Sequence, residues 1–281
     1  MHETHPTRRA AVGAGALAAV AGFTGFTGFS ALGAPSAVAA PVPAPASPSG
    51  RRPTIVLVHG AFADGSSWGP VLERLHRSGY PALAVANPLR GVRSDADALQ
   101  ARLATLDGPV VLVGHSYGGA VITNVAARPG QVRALVYVAA FAPAQGESAA
   151  QLAAQHPGST LGQTLAPVPL PDGSQDLYIR PALFHRQFAA DVPAPRAALM
   201  AATQRPVRDT ALEEASGRPA WADVPSWFLL AGADRNIPLR SQRSMAQRAG
   251  SRATVTVEGA SHSVAVSHPG AVVQLITRAA S

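Results

Sequence analysis

The sequence contains no cysteine and no lysine, so all 23 of its basic residues are arginines. Without cysteine there is no disulfide framework, no thiolate nucleophile and no cysteine-ligated zinc or iron–sulfur cluster. Without lysine there is neither a Schiff base nor the phosphate-binding lysine of nucleotide-binding loops. The two absences therefore exclude thiol-based and lysine-based catalysis.

Aromatic residues are also scarce, at 5% of the 281 residues, and the arginines are scattered rather than clustered. A net charge of +7 alone would suit nucleic acid, but base stacking needs aromatic platforms and backbone binding needs a basic patch. We therefore expect no nucleic-acid partner. The hydrophobic fraction of 47% is enough for a sizeable folded core.

The first fifty residues have the composition of a targeting segment rather than of a fold. Arg8 and Arg9 precede an uncharged, alanine- and glycine-rich stretch at residues 10–34, which is typical of a twin-arginine (Tat) export signal. Small residues at 37 and 39 predict cleavage before Ala40. The alternative is an uncleaved membrane anchor, since the stretch is about long enough to span a bilayer.

The predicted organisation is thus a Tat signal peptide at 1–39, a proline-rich linker at 40–52 and a folded domain at 53–281. The mature protein is expected to be secreted, to the periplasm or the extracellular space, without stable membrane association.

From residue 53 onward, short apolar runs rich in β-branched residues alternate with helical patterns. Continuous runs of this length predict strands buried on both faces, as in a parallel sheet. The pattern predicts an α/β fold with a doubly wound, mostly parallel sheet. The predicted strands cover residues 54–59, 82–86, 110–113, 134–139, 227–231 and 253–257.

Helical patterns fill the intervals, including one at 120–128 and one for which Ser94 is the predicted N-cap. Residues 142–223 break the alternation with many prolines, short helical pieces and no convincing buried strand. A structureless loop of that length is improbable, so we predict an inserted helical lid. Insertions at strand ends of open sheets cover binding crevices.

Residues 114–118 (GHSYG) form a Gly-x-Ser-x-Gly motif between a predicted strand and a predicted helix. That context is typical of a nucleophile elbow, in which a sharp turn presents the serine. Serine needs a base, and His262 lies in the loop after the last strand. Asp234 ends the penultimate strand at its carboxyl edge, whereas its rival Asp223 precedes that strand. Ser116, Asp234 and His262 are the predicted triad.

An acyl-transfer site also needs two fixed N–H donors for the oxyanion. Tyr117 follows the nucleophile at a helix N-terminus and supplies one of them. Ala61, in the turn after the first strand, is the predicted second donor.

With these residues in place, the chain resembles the α/β-hydrolase superfamily, and within it the plant methylesterase and hydroxynitrile lyase branch with its bacterial esterase relatives. The resemblance implies a hydrolase core with a lid that cleaves carboxylic esters without metal or cofactor. It is carried by residues 56–61 (VLVHGA), 112–119 (LVGHSYGG), 139–143 (AAFAP), 234–238 (DRNIP) and 259–262 (GASH).

The same resemblance separates the two reactions of that branch. The lyases carry a threonine where this chain has Gly60 and a lysine where it has Ser263. An esterase is therefore favoured. Cofactor-free perhydrolysis, of the haloperoxidase kind, and acyl transfer remain open alternatives, as does, less favoured, a binding module that kept the fold without activity.

The expected substrate is a small apolar ester. The residues predicted to line its pocket could instead attach the lid to the core, and the sequence leaves both interpretations open. They are Phe62, Leu183, Phe184, Phe188 and Met200.

Overall fold

The computed structural model describes residues 52–281. The predicted signal peptide, and all but the last residue of the predicted linker, lie outside the described residues. Within the described range, no helix combines the length and the hydropathy needed to cross a bilayer.

The strands of residues 52–281 follow the predicted order closely. All six predicted strands are present within two residues at each end, and three further short strands lie in the insertion. The nine strands are β1 (Thr54–Val58), β2 (Ala82–Val85), β3 (Val110–His115), β4 (Val132–Val138), β5 (Leu165–Pro169), β6 (Gln175–Ile179), β7 (Val207–Arg208), β8 (Ser226–Ala231) and β9 (Ala253–Val257).

Helices connect these strands and cover both faces of the main sheet. Residues 52–281 contain α1 (Gly69–Arg77), α2 (Val92–Ala104), α3 (Tyr117–Thr123), α4 (Ala149–Ala154), α5 (Pro181–Phe188), α6 (Ala194–Thr203), α7 (Asp209–Glu213), α8 (Leu239–Arg248), α9 (Val264–Ser267) and α10 (Pro269–Ala279).

The main sheet is parallel throughout and has the strand order β2-β1-β3-β4-β8-β9. The first described strand, β1, lies inside the sheet, and the chain then runs to one edge at β2 and returns across β1 to β3. The direction of winding therefore reverses between β1 and β3, and ligands of open α/β sheets bind beyond the carboxyl ends of strands at such a point. The predicted α/β fold is confirmed.

Both faces of the sheet are buried, which explains the continuous apolar runs. On β1, Val56 and Val58 face one core layer while Ile55 and Leu57 face the other, and all four are at most 1% exposed. Strand β9 differs from the expectation of complete burial, because it lies at the edge of the sheet. Its Val255 is 39% exposed.

Two predicted helix boundaries are wrong. Helix α2 begins at Val92 after Gly91, so Ser94 lies inside the first turn and its hydroxyl donates to the Gly91 carbonyl. Helix α3 begins directly after Ser116 and ends at Thr123, well before residue 128. Polar side chains donate hydrogen bonds to carbonyl groups near the end of α3. Oγ1 of Thr123 donates to the Gly119 carbonyl, and Nδ2 of Asn124 donates to the Ala120 carbonyl.

The insertion between β4 and β8 contains helices α4 to α7, as expected of a helical lid. It also contains an antiparallel sheet of order β5-β6-β7, which the sequence pattern does not predict. These strands are short and half-exposed, and Val168 on β5 is 47% exposed. Their sequences therefore lack the continuous apolar run that marks a fully buried strand.

Candidate active site

Ser116 sits in the tight turn between β3 and α3. Its backbone has φ 53° and ψ −124°, a conformation that non-glycine residues rarely adopt and that stores strain. The turn brings the chain so close to itself that a Cβ on Gly114 would lie 2.6 Å from the Gly118 carbonyl oxygen. The local fold thus requires glycine at 114 and presents Ser116 at the end of the strand.

Asp234 and His262 form a buried hydrogen-bonded pair. Nδ1 of His262 lies 2.7 Å from Oδ2 of Asp234, and their side chains are 1% and 0% exposed. The other carboxylate oxygen of Asp234 accepts the backbone N–H groups of Asn236 and Ile237, at 2.7 and 3.0 Å. The pairing assigns a proton to Nδ1 of His262 and leaves Nε2 as the basic nitrogen.

Gln242 on helix α8 completes this arrangement and was not found from the sequence. Its Nε2 donates to Oδ2 of Asp234 at 3.2 Å and to the Ile237 carbonyl at 2.8 Å. Its Oε1 accepts the backbone N–H of Ala231, the last residue of β8. Gln242 therefore fixes the carboxylate against the strand that carries it.

His115 forms a hydrogen bond with the backbone of His262. Its Nε2 donates to the His262 carbonyl oxygen at 2.9 Å, and the two rings lie 4.8 Å apart between centroids. Burial, together with the nearby charge of His262, lowers the pKa of His115 to about 3. His115 is therefore neutral at physiological pH and serves as a fixed donor.

Ala61 and Tyr117, which carry the two predicted oxyanion donors, line the same cavity as Ser116. Within residues 52–281, the backbone N–H groups of Ala61 and Tyr117 have no hydrogen-bond acceptor. The neighbouring N–H of Phe62 is engaged, because it donates to the Arg205 carbonyl at 3.1 Å, and Phe62 has a φ of 60°. The turn after β1 therefore leaves the Ala61 donor free.

Buried polar side chains form hydrogen bonds that fix the two segments carrying the Ala61 and Tyr117 N–H groups. Nε2 of His59 accepts the Asn87 N–H at 3.0 Å, while its Nδ1 donates to the Gly60 carbonyl. Burial lowers the pKa of His59, which keeps it in this neutral form. The Tyr117 hydroxyl donates to Oδ2 of Asp95 at 2.9 Å, and burial raises the pKa of that carboxyl.

A cavity of about 390 Å³ opens above these groups. One wall is made of alanines from helix α4, and no charged side chain is among the described residues that line it. The cavity is lined by Ala61, Phe62, Ser116, Tyr117, Phe141, Ala149, Ala150, Ala153, Ala154, Ser159, Leu161, Gly162, Leu165, Leu212, Asn236 and His262.

Among the predicted pocket residues, the structure places only Phe62 on this wall. Phe184 and Phe188 are 0% and 1% exposed and pack in the core, where the Phe188 ring lies 4.9 Å from that of His262. Half-buried Leu183 does not reach the cavity, and Met200 borders a separate small pocket. The prediction is corrected for these four residues: α5 turns its aromatic face toward the core beneath the cavity.

Phe184→Ala is accordingly expected to destabilise the protein by about 3–5 kcal/mol, because it leaves a void in a packed core. The measurement is urea unfolding of purified protein. Leu199→Ala, at a position 53% exposed on α6, is the control and should change the free energy of unfolding by about 0.5 kcal/mol or less. Equal stability of Phe184→Ala and wild type would contradict the core placement.

A second cleft, of about 580 Å³, lies on another part of the described surface. It is lined by residues 124–130 and by the segment before β8, including Arg218 and Asp223, which pair with each other. It contains none of the described residues around Ser116, so the candidate site is the smaller cavity.

Comparison with known proteins agrees with the fold described above. A family model described as "Alpha/beta hydrolase family" matches residues 55–275. The carbendazim hydrolyzing esterase of Nocardioides sp. (strain SG-4G) is 37% identical over 107 residues, which cover 33% of this chain and 44% of that protein. The present chain thus spans less than half the length of that relative.

Two solved structures show the same fold. Polyneuridine aldehyde esterase superposes with a TM-score of 0.68 at 19% identity, covering 81% of this chain and 99% of that one. The methylesterase MES16 from Arabidopsis superposes with a TM-score of 0.64 at 19% identity, covering 81% and 98%. With the family match over residues 55–275, these findings confirm the resemblance, and the protein belongs to the α/β-hydrolase family.

Proposed function

We propose that the protein is a serine esterase that cleaves small, uncharged and mostly apolar carboxylic esters through Ser116, His262 and Asp234. One observation carries the proposal: the buried Asp234–His262 pair opens onto the same cavity as the strained Ser116. The absence of charged side chains from the described cavity wall favours a neutral substrate.

In the first half-reaction, Nε2 of His262 accepts the proton of the Ser116 hydroxyl while Oγ attacks the ester carbonyl carbon. In residues 52–281 these two side chains share the cavity without a direct hydrogen bond, a contact that often tightens only with substrate bound. The negative oxygen that develops accepts the N–H groups of Ala61 and Tyr117. The imidazolium then protonates the departing alcohol, which leaves the acyl group on Ser116.

In the second half-reaction, water replaces the alcohol. His262 accepts one proton of the water, whose oxygen attacks the acyl carbon, and returns that proton to Oγ as the carboxylic acid leaves. Asp234 keeps Nδ1 protonated and stabilises the imidazolium in both halves.

Cyanide release from a hydroxynitrile fits the site less well. A Cβ at Gly60 would lie 2.6 Å from the Cβ of Ser116, so the turn as it stands has no room for a threonine. Ser263, where the lyases carry a lysine, is buried and donates to the Phe188 carbonyl at 2.8 Å. Among the described residues, the site therefore has no lysine at the position where the lyases use one to balance a departing cyanide.

The proposal is tested by covalent trapping. A fluorophosphonate probe should add to Ser116 alone, and mass spectrometry should locate it on the peptide that contains residues 114–118. The labelled enzyme should lose its activity on 4-nitrophenyl acetate in proportion to labelling. Full activity after complete labelling, or a label elsewhere, would contradict the proposed nucleophile.

The alanines of α4 that line the cavity predict which acyl-chain lengths the protein accepts. Ala153→Phe should fill part of the cavity and lower kcat/KM for 4-nitrophenyl octanoate at least tenfold more than for the acetate, since pocket contacts discriminate by about 1–3 kcal/mol. The measurement is kcat/KM across esters of two to eight acyl carbons.

Ala182→Phe is the matched control, because Ala182 is an exposed residue of α5 that does not line the cavity. Its chain-length profile should equal that of the wild type. An unchanged profile in Ala153→Phe would mean that the acyl chain does not lie against α4.

We also propose that the protein is exported by the Tat route, which rests on Arg8, Arg9 and the cleavage pattern before Ala40. N-terminal sequencing of secreted protein should begin at Ala40. Replacing both arginines by lysine should abolish secretion. Intact Met1 on membrane-bound material would instead support an anchor.

A further inference from the structure

A carboxylate of the insertion is hydrogen-bonded to the residue that precedes the proposed base, His262. Asp191 lies in the segment directly after helix α5, and its Oδ1 accepts the Ser261 hydroxyl. Ser261 is 2% exposed, and the side chain of Asp191 is 18% exposed. The mechanism proposed above assigns no role to this carboxylate.

The neighbouring hydrogen bonds direct the hydroxyl proton of Ser261 to Asp191. The Phe188 carbonyl lies 3.4 Å from the Ser261 hydroxyl, but it already accepts the Ser263 hydroxyl at 2.8 Å. Oγ of Ser261 in turn accepts the backbone N–H of Ser263 at 3.3 Å. A hydroxyl donates only one proton, and a carboxylate is a stronger acceptor than a carbonyl. The bond to Asp191 is therefore the main hydrogen bond that Ser261 donates.

The insertion thus holds the chain on both sides of His262. Ser261 precedes the histidine and Ser263 follows it, and both hydroxyls donate to the segment at residues 188–191. The ring of Phe188 lies 4.9 Å from the His262 ring between centroids and is itself buried. The pairing with the proposed acid orients the imidazole, whereas these contacts fix the backbone from which it projects.

The other oxygen of Asp191 shows that this placement is costly. Oδ2 is buried and has no hydrogen-bond partner among the described residues. It lies 3.5 Å from Nδ1 of His268, which faces the Ser267 hydroxyl at 2.9 Å. A buried carboxylate oxygen without a donor opposes folding. A role in placing the base would explain why the fold keeps a carboxylate here.

We infer that Asp191 is a positioning residue for the proposed base: its bond to Ser261 fixes the loop that carries His262 and ties the geometry of the reaction to the insertion. The inference rests on the proposed esterase function, in which His262 accepts a proton. That transfer depends steeply on the position of Nε2, since a displacement of about 1 Å can cost about 100-fold in rate. Loss of the bond should therefore lower kcat rather than weaken substrate binding.

The test compares three variants in steady-state hydrolysis of 4-nitrophenyl acetate and in the second-order rate of labelling by the fluorophosphonate probe. Asp191→Ala and Ser261→Ala should each lower kcat and the labelling rate about tenfold. KM should stay within about twofold, because neither residue is among those that line the cavity. Asp191→Asn keeps an oxygen that can accept the Ser261 hydroxyl, so its kcat should stay within about threefold of the wild type.

A double variant and a matched control test whether the two residues act through their common bond. Ser261→Ala combined with Asp191→Ala should be no slower than Ser261→Ala alone, since one bond cannot be lost twice. The control is Asp172→Ala. Asp172 is another carboxylate of the insertion that accepts a serine hydroxyl, that of Ser174, but it is 53% exposed in the turn between β5 and β6. Its kcat should stay within about twofold of the wild type.

Urea unfolding of each variant separates positioning from stability. A merely structural role would lower the free energy of unfolding while leaving kcat per folded molecule unchanged, and that result would overturn the inference. Equal losses of kcat in Asp191→Ala and Asp191→Asn, or losses that multiply in the double variant, would overturn it too. Each of these outcomes leaves the esterase proposal intact. A wild type that neither hydrolyses esters nor takes the probe on Ser116 would overturn both.

Discussion

Ser116→Ala is expected to reduce kcat for ester hydrolysis by about 10⁴–10⁶, close to the rate that the remaining site can support without a nucleophile. The loss is this large because the proposed mechanism forms the acyl intermediate on the Ser116 hydroxyl. Ser116 has a hydroxyl beside His262 and two free N–H donors, and alanine keeps the backbone but removes the attacking atom. The measurement is steady-state hydrolysis of 4-nitrophenyl acetate.

The variant should remain folded, because position 116 already has a φ of 53° and alanine tolerates it no worse than serine. Its circular dichroism spectrum and its Tm should match those of the wild type within a few degrees. Near-normal turnover by a folded Ser116→Ala protein would refute the proposed mechanism.

Asp234→Asn is expected to lower kcat by about 10⁴, with a smaller change in KM. The amide can still accept from the N–H groups of Asn236 and Ile237. Where Oδ2 now accepts from Nδ1 of His262 at 2.7 Å, however, an amine would face the ring and favour the wrong tautomer. His262 would then lack a free Nε2 to accept the serine proton.

The same substitution at Asp223 is the matched control. Asp223 is an exposed carboxylate that pairs with Arg218 on the surface, just ahead of strand β8. Exposed pairs contribute little, so Asp223→Asn should keep kcat within about twofold of the wild type. Comparable losses in both variants would place the catalytic acid elsewhere or show a general effect of lost charge.

The sheet was predictable because its signal is local in the chain. Buried parallel strands read as continuous apolar runs, and residues 54–58 or 227–231 need no partner to be recognised. The half-exposed strands of the insertion have no such signal. The partial burial of their side chains depends on neighbours that are distant in the sequence and become adjacent only in the folded chain.

The proposed triad was predictable for a related reason. Ser116 is marked by its glycines, and chain order selects His262 among nine histidines. Its supporting residues were not predictable: Gln242 and Asp95 are ordinary helix residues until the fold brings them to Asp234 and Tyr117.

The cavity wall was the least predictable part. Phe184 and Phe188 share a helix face, as their spacing of four requires, but spacing does not say whether that face meets a cavity or a core. The alanines of α4 have too little hydrophobic signal to mark a binding wall. Their role depends on where the insertion places the helix.

The bond between the Phe62 N–H and the Arg205 carbonyl joins main chain to main chain. No side-chain exchange at Arg205 can delete it, and at position 62 only proline would remove the donor. The insertion can therefore accumulate substitutions that reshape substrate preference while the catalytic turn stays anchored. Side chains of the insertion can therefore change while the turn after β1 keeps its main-chain bond to the insertion. A mutant library confined to the insertion is accordingly a good starting point for directed evolution of substrate preference.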